Sequence, residues 1–304
     1  MVTPFLGKGA GGRHTGSHIM TRIVLVMMWL LHWLPLPVLA AFGRGLGRVF
    51  YVLVRERRQS TLTNLGLCFP QLSPAERSEL AKRHLMTIGR GLLELGVWWW
   101  ASPQRIRRLV TIEHAERLAV RDGRPLILFA SHFAGLEAGG IRLGMEFDMV
   151  TVYAQAKDPV FERAMRRGCE RFGTELISRR EGLRKVLRPL RAGIPFYYFP
   201  DMDYGRKESI FVPFFGVPAA TITGLSRLAK ATGATVLPVI TRMTDKGYVV
   251  SIGEPWEQFP TDDVVADTRR MNAFLETEIM KSPEQYFWLH KRFKTRPLGE
   301  KGVY

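Results

Sequence analysis

The sequence predicts an α/β fold: a largely parallel central sheet flanked by helices, preceded by an N-terminal membrane helix. Two observations carry this. From residue 125 onward, short apolar runs alternate with helical patterns, the order expected when helical crossovers connect parallel strands. Ahead of them, residues 23–42, IVLVMMWLLHWLPLPVLAAF, are almost wholly apolar, and about 20 apolar residues suffice to cross a bilayer as a helix.

In chain order, residues 1–20 (MVTPFLGKGAGGRHTGSHIM) are rich in Gly and His and have no apolar period. They read as a leader, tag or upstream-start extension, with Met20 a candidate natural start. Residues 21–42 read as the membrane anchor. Arg22 precedes the apolar run, Arg44 and Arg48 follow it, and no small-residue cleavage site marks it for removal. The competing reading is a buried core helix, because Pro35 and Pro37 would kink a span. Residues 43–304 read as one domain. Leu80, His84, Leu85, Ile88, Leu92 and Leu95 set a helical period over 75–100. That helix ends in Trp98-Trp99-Trp100, which suit either a membrane interface or a core. Strands are expected at 125–130, 147–153, 195–199, 235–240 and 248–252. Helices are expected at 159–172, 181–192, 222–232 and 264–280.

The formal net charge is +16 and the pI about 10.3, which favours an anionic partner: nucleic acid, acidic lipid head groups or an acidic carrier protein. No nucleic-acid-binding motif appears, and the basic residues lie beside apolar anchors. The densest basic stretch, 163–191, holds ten Arg or Lys against three Glu. It is either a solvated helical face or a cradle for phosphate, membrane or carrier. The two cysteines, Cys68 and Cys169, belong to no CxxC pair, so neither a disulfide framework nor a structural metal is expected.

The chemistry concentrates in Ser131-His132-Phe133-Ala134-Gly135-Leu136-Glu137, directly after the strand ending at Ala130. A loop there would carry His132, and Glu137 would fall in the first turn of the next helix, where the dipole favours a carboxylate. Gly135, Gly139 and Gly140 permit close approach. Neutral His132 is suited to take a proton from a hydroxyl attacking a carbonyl. A carboxylate on its other ring nitrogen would fix the tautomer, and backbone N–H groups at the helix start could help hold the oxyanion.

Further blocks follow: Pro200-Asp201-Met202-Asp203-Tyr204-Gly205-Arg206-Lys207, then Phe211–Ala220, then His290-Lys-Arg-Phe-Lys-Thr-Arg-Pro297. With the His-x4-Glu spacing, their order resembles the late acyltransferases of lipid A biosynthesis, the lauroyl/myristoyl family within the lysophospholipid acyltransferase group. The likeness covers nearly all of residues 22–300. It implies a glycerolipid-acyltransferase-like α/β domain at the cytoplasmic face of the bacterial inner membrane, using no cofactor. The reaction implied is acyl transfer from acyl carrier protein to a hydroxyl of an acyl chain on a lipid A precursor. The alternative acceptor is another lysophospholipid or glycolipid. The resemblance makes His132 and Glu137 the catalytic pair and aligns Arg171 and Asp201 with family positions. A buried Asp201 would pair with an arginine. Arg206 and Lys207 stand with them as substrate-binding candidates, for phosphate or phosphopantetheine, although Asp and Gly also make simple turns. His84, His114 and His290 are read as packing or capping residues, and Phe211–Phe215 as core.

Overall fold

The computed structural model describes residues 14–119 and 123–304. The apolar run at 23–42 is not one helix. Helix α1 (His14–Leu31) stops, and α2 (Leu36–Leu53) starts anew. Pro35 lacks an N–H and disfavours helical backbone at the residue before it, so the chain turns and Pro35 becomes the N-cap of α2. The guanidinium of Arg105 binds the carbonyls of His32 and Leu34 freed by this break. Helix α1 starts within the segment that the sequence reading set apart: His18 and Thr21 both bind Asp158 Oδ2 at 3.0 Å. Residues 1–13 of that segment lie outside the described residues.

Among the described residues, α2 is the one helix long and apolar enough to cross a membrane. It is also sealed along one side. A Cβ at Gly47 would stand 2.3 Å from the carbonyl oxygen of Leu85, and one at Gly89 would stand 2.3 Å from that of Gly43. The helix carrying Leu85 and Gly89 is α4 (Pro74–Trp100), which follows α3 (Arg55–Cys68) and starts with a Ser73–Glu76 capping box. Away from this seam, Val38, Phe42, Val49 and Val52 are exposed, together with Ile23, Val26, Trp29 and Trp33.

After α5 (Pro103–Leu109) come β1 (Val110–Glu113), β2 (Leu126–Phe129), α6 (Leu136–Gly144), β3 (Met149–Tyr153), α7 (Pro159–Glu170) and β4 (Thr174–Ser178). Then follow α8 (Arg184–Arg191), β5 (Phe196–Tyr198), β6 (Ser209–Phe214), β7 (Val217–Ile222), α9 (Gly224–Thr232), β8 (Thr235–Met243), β9 (Tyr248–Ile252) and α10 (Val264–Lys281). The main sheet runs β1-β9-β8-β2-β5-β3-β4. Every pairing in it is parallel except β8 with β9. Strands β6 and β7 form a separate hairpin, so the Phe211–Ala220 block does more than fill the core. It turns at Phe215 and Gly216, both at positive φ, as a two-residue hairpin loop requires.

All four residues of β2 are buried. Ile127 and Phe129 join one core with Val186, Leu225 and Met271, while Leu126 and Leu128 join another with Trp98, Ala138 and Ile141. A sheet covered on both faces explains why its strands read as unbroken apolar runs. Trp98 and Trp99 lie in this second core at 2% and 3% exposure, so the tryptophan cluster is packing rather than an interface belt.

Candidate active site

The sheet register builds the centre of the site. Phe129 of β2 pairs with Tyr198 of β5, and both strands release loops at their carboxyl ends, where open α/β sheets place ligands. His132 and Asp201 each lie three residues beyond that pair, so the two loops bring them side by side. His132 Nδ1 lies 2.6 Å from Asp201 Oδ1, and the His132 backbone N–H donates to Oδ2 at 3.0 Å. Asp201 is completely buried. Burial alone would raise its pKa, but the attraction of His132 and hydrogen bonds from its ring and backbone hold the carboxyl below the usual range. With the ring proton on Nδ1 facing Asp201, Nε2 is left as the basic nitrogen. Phe199 meets the ring edge-on, 5.0 Å between centroids.

The sequence reading gave this carboxylate's place to Glu137 and expected Asp201 to bind an arginine or substrate. The structure differs on both. Glu137 Oε1 accepts from Trp99 Nε1 at 3.0 Å and from Cys169 Sγ at 3.1 Å, tying α6 to α4 and α7. Burial and the adjacent Glu137 push the Cys169 thiol well up, which keeps it a donor. The loop 130–135 does not fold His132 back over the helix start. The parallel neighbour strand supplies a partner 69 residues away instead. Both His132 and Glu137 do line one cavity.

The remaining expected site residues lie elsewhere. Arg171, at the C-cap of α7, donates through Nη1 to the carbonyls of Trp99 at 2.9 Å and Ala101 at 3.0 Å and lies over the Phe172 ring. It caps the C-terminus of α4, where a cation suits both the helix dipole and the free carbonyls, and it is not in the cavity wall. Arg206 and Lys207 are exposed and also outside that wall. Arg206 donates to the carbonyl of Arg296 at 2.6 Å.

The cavity has a volume of about 1080 Å³, at the upper end for small-ligand sites. Its apolar lining comes from both cores. Ile141, Met149 and Met165 stand on one side and Leu183, Leu187 and Leu228 on the other, with Arg179, Arg184 and Arg227 also in the wall. None of these three arginines has a carboxylate ion-pair partner among the described residues. No group of three or more His, Cys, Asp or Glu side chains comes together as a metal site among the described residues.

Two contributors were missed: Asn64 went unread, and His290 was read as packing or capping. His290 lines the cavity, and its Nε2 accepts the backbone N–H of Asp203 at 3.2 Å. Asp203 is fixed in turn by the Thr295 N–H at 2.7 Å and its hydroxyl at 2.9 Å. Asn64, wholly buried in α3, donates to the carbonyls of Trp288 and His290 at 2.7 Å each. The segment is stitched directly to the His132 loop: Ala134 N–H donates to Gln285 O at 2.8 Å and Phe287 N–H to His132 O at 2.9 Å. Arg292 and Arg296 bind carbonyls of Ala220 and Pro218 at 2.7 Å, docking the same block on the hairpin. The density of polar residues in His290–Pro297 was the available signal.

The family described as bacterial lipid A biosynthesis acyltransferase matches residues 12–295. The lipid A biosynthesis palmitoleoyltransferase of Escherichia coli (strain K12) is 36% identical over 290 residues, 94% of each chain. The lipid A biosynthesis lauroyltransferase of the same strain is 35% identical over 286 residues, covering 92% of this chain and 93% of its own. A lipid A biosynthesis acyltransferase of Haemophilus influenzae (strain ATCC 51907 / DSM 11121 / KW20 / Rd) is 35% identical over 270 residues, 87% and 86% respectively.

Proposed function

The chain belongs to the bacterial lipid A biosynthesis acyltransferases, and from that premise we propose that it moves an acyl chain from an acyl carrier protein thioester to a hydroxyl on an acyl chain of a lipid A precursor. The observation that carries the site assignment is the buried Asp201 carboxylate on Nδ1 of His132, with His132 lining an apolar cavity. His132 Nε2 takes the acceptor's hydroxyl proton as its oxygen bonds to the thioester carbon. The carbonyl oxygen gains the negative charge. Collapse then re-forms the carbonyl and breaks the carbon–sulfur bond, and the imidazolium returns its proton to the departing thiolate. Asp201 steadies the imidazolium. Glu137, in the first turn of α6, braces the cavity wall through Trp99 and Cys169.

A cavity lined by apolar side chains from both cores suits two acyl chains meeting at one base. The unpaired arginines in its wall suit a phosphorylated acceptor. The exposed apolar residues of α1 and α2 provide the seat on the cytoplasmic face of the inner membrane. The +16 charge favours encounter with an acidic carrier and with anionic lipid.

The test is to incubate purified protein with an acyl carrier protein thioester and a phosphorylated lipid A precursor, then to weigh the lipid product by mass spectrometry. A gain of one acyl group is expected, and its mass names the chain. His132→Ala should slow the transfer by about 10²–10⁴-fold, the range for a positioned general base. No acylated product from the carrier thioester, with transfer from a coenzyme A thioester in its place, would overturn the donor assignment.

A further inference from the structure

We infer that His290 is a second substrate-contacting catalytic residue: its neutral imidazole donates a hydrogen bond from Nδ1 to the acyl carbonyl oxygen as negative charge builds there. The inference rests on the acyl-transfer reading and deepens it.

An oxyanion that develops in a water-poor cavity needs fixed donors. Four backbone N–H groups beside His132 are already engaged. The N–H of His132 is engaged by Asp201, that of Phe133 by Ser131 O, that of Ala134 by Gln285 O and that of Leu136 by Phe133 O. The Ser131 hydroxyl is buried without a partner but is not in the cavity wall.

His290 has the needed properties. Its Nε2 accepts the Asp203 N–H at 3.2 Å, so a neutral ring carries its proton on Nδ1. Nδ1 has no hydrogen-bond partner among the described residues, yet it is not one of the side-chain nitrogens sealed from open space. His290 and His132 line the same cavity, and Nδ1 is the ring nitrogen of His290 left to meet a ligand there. The ring cannot wander. Asn64 holds its backbone carbonyl at 2.7 Å, Thr295 holds Asp203, and the Phe287 N–H ties the segment to the His132 carbonyl. Burial pushes the His290 pKa down to about 4, helped by repulsion from His132 and Arg292. A ring held neutral does not compete with His132 for the proton, and a neutral imidazole is an effective donor to a developing oxyanion.

The experiment compares kcat and KM for wild type, His290→Leu and His290→Gln with a carrier thioester donor. Leucine fills the space and offers no donor. Glutamine keeps an acceptor for the Asp203 N–H and an N–H for substrate. His290→Leu should lower kcat by about 10²–10³-fold, the effect of losing one oxyanion donor, with KM within a few-fold. His290→Gln should recover at least about tenfold of that loss. If His290→Leu does not fold, the carbonyl stretch of labelled thioester bound to His132→Ala should rise when Asp203-compatible but donor-free methionine replaces His290.

Near wild-type kcat in His290→Leu, equal losses in the leucine and glutamine variants, or an unmoved carbonyl stretch each overturn the inference. Wild-type protein inert toward both substrates would instead overturn the acyl-transfer reading beneath it.

Discussion

Replacing Asp201 by asparagine isolates what this carboxylate does, because the shape is kept. Both Asp201 oxygens are acceptors: Oδ1 faces His132 Nδ1 at 2.6 Å and Oδ2 faces the His132 backbone N–H at 3.0 Å. An amide has one oxygen, so it can serve only one of them. With its oxygen on the backbone, its NH₂ faces Nδ1 and drives the ring proton to Nε2, the nitrogen proposed as the base. With its oxygen on Nδ1, the NH₂ opposes the buried backbone N–H. Either way the negative charge beside the imidazolium is gone. The expected loss in kcat is about 10²–10⁴-fold, or ~3–5 kcal/mol of barrier. Folding should lose only about 1.5–3 kcal/mol, the value of a charged hydrogen bond. The assay is acyl transfer followed by product mass, with thermal unfolding in the same detergent. Glu137→Gln is the control: it keeps an acceptor for Trp99 and Cys169 and should cost less than tenfold. Asp201→Asn at near wild-type rate, or Glu137→Gln slower than Asp201→Asn, would refute this reading of the His132 partner.

Gly139→Ala should destabilise the protein by about 1–3 kcal/mol through overpacking, because the new Cβ would stand 2.0 Å from Thr241 Oγ1. Unfolding midpoints of the single variant and of its double with Thr241→Ala test it: the double should regain part of the loss. Arg171→Ala should cost about 1–3 kcal/mol of stability while leaving kcat within a few-fold. A large fall in kcat with unchanged melting would return Arg171 to the active site. The last prediction concerns acid. His84, whose Nδ1 lies 2.9 Å from Glu284 O and whose Nε2 is sealed without a partner, is pushed by burial down to about 4, as is His290. Both folded-state values lie below the unfolded one, so stability is complete above about pH 6.5 and falls as the unfolded chain takes up protons between there and about 4. Each site contributes up to about 3 kcal/mol. His84→Gln should flatten the slope of urea midpoints across this window, and an unchanged slope would exclude His84 as a cause.

The parts of the fold legible in the sequence are those with local causes. The apolar run of β2 and its exit into His132 follow from burial on both faces. The capping box at Ser73 and the helical period to Leu95 place α4. Within the main sheet, the strands that escaped notice, β1 and β4, lie at its two edges, where one flank is unpaired and burial weakens. Glu113 and Glu175 interrupt their pattern. The break at Pro35 was signalled, but the proline was outweighed by hydropathy that reports composition and not continuity. The site shows the sharper limit. His132 announces itself by its place after a strand, whereas its carboxylate partner was sought within the same turn. Sheet order brings β5 beside β2, and nothing in residues 131–137 encodes that. Asn64 and His290 come from still farther away, 226 residues apart in sequence and joined only in the folded chain.

The stitching of the His132 loop to residues 285–290 has a consequence for synthesis. The exposed apolar face of α1 and α2, and the α4 surface that supports it, are complete by Trp100. The Gln285 carbonyl that holds Ala134, the Phe287 N–H that holds His132 and the His290 ring leave the ribosome only after all of these helices. These contacts span large sequence separations, so they cannot form until residues 285–290 are made. A nascent chain thus acquires its address before its chemistry. On the proposed function, stalled or C-terminally clipped chains would sit at the lipid surface without a working site, so premature release would waste a polypeptide but not misdirect acyl groups.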